Sequence, residues 1–398
     1  MSVAEKHSHD CKSTGRTARR LFVENGIAIS LVAISAVALI CRLELRDFIS
    51  VDMSAWLLPW NDIFEAEGFS ALSRQVGDYG IAYQFLMILG TFIPLAPEYY
   101  IKGISIVFDF LLAWQVLLLV KKLSKSKWAA VMAYALILML PPFIMNSAMW
   151  GQCDSIFSTF IVYSLRKLVA EKYSLSFLML GIALGFKLQA VFVFPAFLLY
   201  AIVIRKCSFL NFLLVPVGWY LTALPGFFFG RSLLAPIEIY LFQTGEYPLM
   251  YANCPSFWTF LPQEAGEFRI PAILLTLVIL SLAFYAVISM EEPRLAFSPG
   301  NIMLTMTLLT WTCVEFLPSM HERYGFIVVT LLVVTVIQRW KKLTLWGILG
   351  IYVFCDCVTY SHFLLGTEVW LVPLSILMLL AWGAFAWVVF SQLRENAE

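Results

Sequence analysis

IAYQFLMILGTFIPLA, residues 81–96, is the stretch on which the topology turns. It is apolar enough to enter a bilayer, but short of the roughly 20 residues a crossing helix needs, and it closes in the proline-bearing PLAP. Counted as a span, it sends the next basic segment, KKLSKSK (121–127), to the side opposite the basic N-terminus. That breaks the positive-inside tendency at the most basic loop of the chain. Counted as a helix lying in or against the outer interface, it brings nineteen of the 27 Lys and Arg residues to one side. They fall within 1–20, at 121–127, 166–172 and 205–206, at Arg294, at 339–342 and at Arg394. The other eight (Arg42, Arg46, Arg74, Lys102, Lys187, Arg231, Arg269, Arg323) then sit outside or at outer helix ends.

The composition calls for a bilayer. The chain is 61% hydrophobic and 13% charged, with a mean hydropathy of +0.83; a soluble domain of 398 residues could not hide that much apolar surface. Apolar runs near 21–41, 102–120, 128–147, 154–168, 174–187, 189–204, 208–228, 270–289, 298–316, 324–338, 343–363 and 368–390 predict an all-α polytopic membrane protein. The count is about twelve transmembrane or near-spanning helices. The ten-residue alternation of a membrane barrel is absent. This reading gives a basic cytoplasmic tail over 1–20, one integral membrane domain over 21–390 and a cytoplasmic tail over 391–398. A first external loop with interfacial helices covers 43–101, and a second large one covers 229–269. The run GIAISLVAISAVALIC reads as an uncleaved first helix. The eight cysteines form no CxxC pair and read as small buried hydrophobes rather than redox or metal groups. No nucleic-acid partner is expected, and the net charge of +1 by itself says nothing about partners.

Four external features carry candidate chemistry. SVDMSAWLLPWNDIFEAEG (50–68) sets Asp52 and Asp62 among Trp56 and Trp60, just after Asp47, and GDYGIAY with Asp78 follows. NSAMWGQCDSIF (146–157) puts Trp150, Gln152 and Asp154 at the outer end of a helix pair. ALGFKLQAVFVFPAF (183–197) holds Lys187 between two short apolar segments. LPSMHERYGF (317–326) brings His321, Glu322 and Arg323 to another outer boundary.

Each feature has a plain reading as well. Loop carboxylates are usually solvated, the reading taken for Asp62, Glu65, Glu67 and Arg74, and a boundary tryptophan is usually an interface anchor. Lys187 resists that treatment, because its short flanking helices leave the ammonium below the outer headgroups unless it snorkels. It therefore calls for a partner, a phosphate or a carboxylate. HERYG lacks the second histidine of HExxH, which removes the metalloprotease reading. A His-Glu-Arg cluster at a helix mouth instead suits an anionic, hydroxyl-rich ligand, with the arginine fork on phosphate oxygens. No carboxylate-histidine set has metal-ligand spacing, so neither metal nor other cofactor is expected. Asp109 and Asp356 lie inside predicted helices; Asp109 could face the bundle and pair.

The ordered pieces DMSAWLLPWNDIF, GDYGIAY, IKGISIVFDFLLA, WGQCDSIF, GFKLQA, NCPSFWTF and MHERYG, between about residues 47 and 326, resemble the GT-C polytopic glycosyltransferases. The closer resemblance is to bacterial membrane mannosyltransferases related to GPI mannosyltransferase II. It implies transfer of a hexose, mannose-like or glucose-like, from a polyprenyl-phosphate donor to a lipid-linked or cell-surface glycan acceptor. The reaction would occur on the outer face of a bacterial cytoplasmic membrane, with both termini cytoplasmic and membrane lipids as the surroundings. By family position Asp52 is the general base of an inverting transfer, with Asp47 as runner-up. The resemblance gives Asp78, Gln152 and Asp154 to sugar or acceptor hydroxyls, and Lys187, His321 and Arg323 to the lipid phosphate. Trp56, Trp60 and Trp150 would stack on sugar faces or serve as anchors. Two rivals remain: a transporter or flippase of lipid-linked sugars, which would need polar residues continuing to the cytoplasmic side, and a non-catalytic subunit of a glycan assembly complex.

Overall fold

The computed structural model describes residues 25–246 and 249–395; the basic tail over 1–20 and the last three residues lie outside the described residues. By helix length and hydropathy the chain is a multi-pass membrane protein. Six helices are long and apolar enough to cross: α1 (Asn25–Glu44), α4 (Pro97–Ser124), α10 (Leu214–Phe228, extended by a turn from Phe209), α12 (Arg269–Ile288, entered from Gly266), α15 (Leu343–Leu365) and α16 (Leu371–Glu395). A bent pair, α5 (Lys127–Met139) with α6 (Pro141–Ile144) and its continuation to Trp150, brings the number up to seven. The kink of 53° falls at Pro141 and Pro142, whose rings cannot continue a helix. α16 runs on to Glu395, so most of the expected C-terminal tail is helical.

The remaining apolar helices are shorter. They are α3 (Ile81–Gly90), α7 (Asp154–Leu168), α8 (Tyr173–Phe186), α9 (Phe194–Val203), α13 (Ile302–Phe316) and α14 (Phe326–Gln338). α2 (Leu58–Glu67) and α11 (Ala235–Glu246) lie in the two large loops and complete sixteen helices among the described residues. Every apolar run expected as a span contains a helix, but several stop well short of the hydrocarbon thickness. The reason is burial: α13 is buried along its whole length, and α14 from Phe326 to Ile337. A helix packed on all sides by protein need not match the bilayer. Four of their threonines bond within the helix, Thr310, Thr312, Thr330 and Thr335 each donating to the carbonyl four residues back at 2.8–2.9 Å.

The ten residues of α3 rise only about 15 Å, half the hydrocarbon core, so this helix cannot cross alone. One face, with Tyr83, Gln84, Met87 and Ile88, is buried on the protein, while Leu89, Phe92, Ile93 and Leu95 are exposed. That division suits a helix lying at the apolar boundary.

Buried ions tie the bundle together. Arg42 donates to Asp109 at 2.8 Å and to the carbonyls of Ala38 and Leu138, while Ser147 donates to the same Asp109 oxygen at 2.5 Å. Asp109 thus faces the bundle and pairs. Lys102 donates to the carbonyls of Arg46 (2.8 Å) and Phe48, just beyond the end of α1. A two-residue parallel pairing of β1 (Tyr251–Ala252) with β2 (Met320–His321) docks the second large loop onto the α13–α14 connection. Ser319 reinforces it through its N–H to Met250 O and its hydroxyl to Leu249 O, both 2.7 Å.

Candidate active site

A cavity of about 270 Å³ opens where five segments of the chain meet. Asp52, Trp56 and Trp60 come from the first loop, Asp78 and Tyr79 from the turn before α3, and Gln152 from the α6–α7 break. Lys187 and Gln189 come from the α8–α9 break, and His321, Arg323 and Tyr324 from the α13–α14 connection. Gln243 of α11 and Phe363 of α15 close it.

Asp52 stands at the mouth of a π-helical turn, Met53–Leu57, that runs on into α2. A second π turn, Met145–Trp150, ends at Gly151 and delivers Trp150 and Gln152 opposite. Such widened turns occur often at functional sites. Gly151 has φ +77°, a left-handed conformation that favours glycine, and packs against the tip of Met53 from the first turn. Three donors converge on one oxygen of Asp52: Trp150 Nε1–H at 2.8 Å, Gln152 Nε2–H at 2.9 Å and, more distantly, the Arg323 guanidinium at 3.5 Å. All fall on Oδ2. Among the described residues no hydrogen bond falls on Oδ1, and the side chain keeps 18% of its surface exposed. The carboxylate is thus fixed by one oxygen and available through the other.

Tyr79 extends this network. Its hydroxyl donates to Gln152 Oε1 at 2.6 Å, which turns the amide so that its NH2 faces Asp52. Burial pushes the Tyr79 phenol well above its ordinary range, so it remains a donor. Trp60 meets Tyr79 edge-on at 5.8 Å and lies against Gly77, whose φ of +68° and missing side chain admit the indole.

The cations have partners. Lys187 forms a buried ion pair with Asp154 Oδ1, whose Oδ2 accepts from Asn146 at 2.8 Å, and its ammonium lies 5.6 Å from the Tyr79 ring. Of the two partners expected for Lys187, the protein itself supplies the carboxylate. Arg323 lies 3.5 Å from Asp52 and 3.8 Å from the buried Glu322, with its guanidinium carbon 5.2 Å from the Trp150 ring. Burial pushes the Glu322 carboxyl up to about 7. Burial, aided by the Arg323 and Lys187 charges, pushes His321 down to about 3, so its imidazole is neutral at physiological pH. Asp78 is raised by burial.

Eight of the expected site residues line this one cavity: Asp52, Trp56, Trp60, Asp78, Gln152, Lys187, His321 and Arg323. Three do not. Asp47, the runner-up for the base, is 67% exposed, accepts from Tyr99 at 2.8 Å and lies 3.6 Å from Arg46, outside the cavity lining. Trp150 has no exposed surface, being stacked on Phe363 (4.5 Å, 20°) and set edge-on to Tyr360, so it offers substrate no face and instead holds Asp52. Asp154 has both oxygens engaged by Lys187 and Asn146 and serves the lysine rather than a ligand.

Sequence reading passed over Tyr79, Gln189 and Tyr324, although each sits inside a quoted motif beside a chosen residue. Gln243, whose amide donates to Asp78 O, and Phe363 had no local signal. Among the described residues no group of three or more His, Cys, Asp or Glu side chains is arranged to hold a metal. A neutral imidazole, two carboxylates, three glutamine amides, two phenols, two cations and two indoles make a lining suited to a polyhydroxylated ligand with an anionic group. Comparison with protein-family profiles gives no match, and comparison with curated proteins gives none either.

Proposed function

We propose that the chain is a membrane glycosyltransferase of the GT-C kind, which moves a hexose from a polyprenyl-phosphate donor to a lipid-linked or cell-surface glycan on the outward face of a bacterial cytoplasmic membrane. The observation that carries this reading is the convergence of Asp52, Lys187, His321 and Arg323, from three distant segments, on one polar cavity. In the transfer, an acceptor hydroxyl oxygen bonds to the anomeric carbon as the bond from that carbon to the phosphate oxygen breaks. The hydroxyl proton passes to Asp52, which becomes neutral, and the polyprenyl phosphate leaves with one more negative charge. Asp52 Oδ1 is the oxygen free to accept that proton. Arg323 and Lys187 stand where they can stabilise the growing phosphate charge, and the neutral His321 can donate to a phosphate or sugar oxygen. Trp56 and Trp60 offer ring faces to sugars at the cavity wall.

The donor's chain also has a place to lie. A second, apolar cavity of about 450 Å³ runs between α9, α12 and α13, and its lining includes Val191 and Phe192, close in sequence to the cavity-lining Gln189. An amphiphilic donor could enter from the bilayer along it, headgroup first.

The decisive experiment is Asp52→Asn, with surface glycans and sugar transfer from polyprenyl-phosphate mannose or glucose as readouts. The variant should reach wild-type membrane levels and lose transfer. Full restoration of the glycan in a deletion strain by Asp52→Asn would sink the reading and leave a carrier or a non-catalytic subunit in its place.

A further inference from the structure

Arg231 is only 7% exposed, yet it has no carboxylate within salt-bridge reach among the described residues. The other buried cations differ. Arg42 pairs with Asp109, Lys187 with Asp154 and Arg323 with Asp52 and Glu322, while Lys102 is spent on backbone carbonyls. The Arg231 guanidinium donates only to two neutral amides, Gln84 Oε1 at 3.2 Å and Gln75 Oε1. Burial brings it down to about 10, which still leaves it charged at neutral pH. A buried positive charge with neutral partners is costly unless an anion joins it.

Space for that anion is present. Arg231 lines a second cavity of about 430 Å³, divided from the candidate active site by the Gly77–Asp78 turn, whose Asp78 borders both. Ser73 and Arg74 stand on one wall. Ser232 and Ala235 stand on another, where the twelve-residue helix α11 begins; its first N–H groups are already spent on Ser232 O and Leu234 O, so the charge available to an anion there is that of Arg231. Glu238, the lining carboxylate nearest in charge effect to Arg231, is exposed to solvent screening. The surroundings are apolar and exposed: Phe228 and Phe229 precede the site, Leu233 and Leu234 flank it, and Leu241 and Phe242 continue along α11. An anionic pocket bordered by exposed apolar side chains fits an amphiphile, and the anion common to membrane amphiphiles is phosphate.

We propose that this second cavity binds the phosphate headgroup of a membrane lipid, with Arg231 on the phosphate and the exposed face of α11 against the acyl chains. The assignment does not depend on the glycosyltransferase reading. It has a consequence for that site nonetheless. Gln75 and Gln84 accept from Arg231 through their oxygens and donate through their NH2 groups to the backbone, Gln75 to Gly77 O and Tyr79 O and Gln84 to Tyr79 O. A lipid phosphate on Arg231 therefore braces the turn that presents Asp78 and Tyr79 to the active site.

The test is native mass spectrometry of the full chain in detergent, with dioleoyl phosphatidic acid, dioleoylglycerol and inorganic phosphate as probes. Phosphatidic acid should bind at least about tenfold more tightly than dioleoylglycerol, the equivalent of one charged hydrogen bond. Ser232→Trp, at an exposed position, should block the cavity and remove that preference while the protein stays monodisperse. Arg231→Gln should do the same, and Ser232→Trp keeps the test intact if Arg231→Gln fails to fold. Inorganic phosphate binding as well as phosphatidic acid would overturn the lipid as source. Equal binding of phosphatidic acid and dioleoylglycerol, or a preference untouched by Ser232→Trp, would overturn the site itself.

Discussion

Trp150→Phe separates a residue that holds the base from one that touches substrate. The indole N–H donates to Asp52 Oδ2 at 2.8 Å, while the ring fills a slot between Phe363 and Tyr360. Phenylalanine keeps a ring in that slot and removes the donor. A hydrogen bond to a charged group is worth about 1.5–3 kcal/mol, which corresponds to about a 10- to 150-fold change in rate if the whole of it serves the transition state. Asp52 retains Gln152 at 2.9 Å and Arg323 at 3.5 Å, so the loss should fall at the lower end, about tenfold in kcat/KM. Adding Gln152→Leu leaves only the longer Arg323 contact, and the double variant should lose more than the product of the two single losses. Asp52→Asn removes the base and should cost about 10²- to 10⁴-fold. The assay is transfer of labelled hexose from polyprenyl-phosphate mannose or glucose in membranes, normalised to protein level, with the melting temperature recorded in detergent. A Trp150→Phe enzyme that works at the full rate would refute the positioning argument. A loss confined to KM would give the indole to the substrate instead.

Further outcomes follow from the buried charges. Lys187→Met should destabilise the protein by about 3–5 kcal/mol by stranding Asp154, and Lys187→Met with Asp154→Leu should recover the melting temperature but not transfer; recovery of both would make the pair purely structural. Asp109→Leu should likewise strand Arg42 and lower the melting temperature, with Arg42→Met restoring it, and sugar transfer by the double variant should be near normal. Glu322, raised to about 7 by burial, gives stability that is present below the unfolded value of 4.5 and lost as pH rises to about 7; His321, lowered to about 3, gives stability that grows as pH rises through 3 to 6.5. The two slopes oppose each other between pH 4.5 and 6.5, so Glu322→Gln should uncover a melting temperature that climbs over that window, and an unchanged pH profile would count against the burial of either group.

Much of the helix pattern was legible because apolar runs in a bilayer have little alternative to helix. The run expected over 154–168 became α7 over the same residues, and 81–96 was too short and too proline-rich at its end to cross. Legibility of the site followed from local oddity. Lys187 stood out because a lysine between two short apolar segments is costly, whereas the resemblance alone singled out Asp52 from the carboxylates around it. What could not be read was which partner each would take. Asp154 lies 33 residues from Lys187, and nothing local says that the aspartate serves the lysine rather than a sugar. Asp47 and Asp52 look alike as text. They differ because only Asp52 opens the π turn that faces Gly151, a pairing across 98 residues. α15 carried no motif, yet Phe363 and Tyr360 set the Trp150 ring in place.

Most polar residues of the cavity, and the tryptophan that holds Asp52, share a structural address: they stand where a helix is widened, broken or joined. Asp52 opens one π turn and Trp150 closes another, Lys187 lies at the junction of α8 with the 3-10 turn Leu188–Val193, and His321 to Tyr324 form the link between two wholly buried helices. Inside a bilayer a helix satisfies its own backbone, and a break leaves N–H and C=O groups that only protein or water can satisfy. Breaks of this kind are therefore tolerated where they line a cavity, and four of them pointing at one space require that space to be polar and wet. The same argument explains why the adjoining helices are short. A helix that ends at such a cavity need not run the full thickness of the bilayer, as the 14 residues of α8 and the 10 of α9 do not. The polar side chains at these breaks then cost less than they would on an intact span, since the cavity already admits water. A site for a hydroxyl-rich, anionic headgroup is thus an expected tenant of the place where this bundle stops being continuous helix.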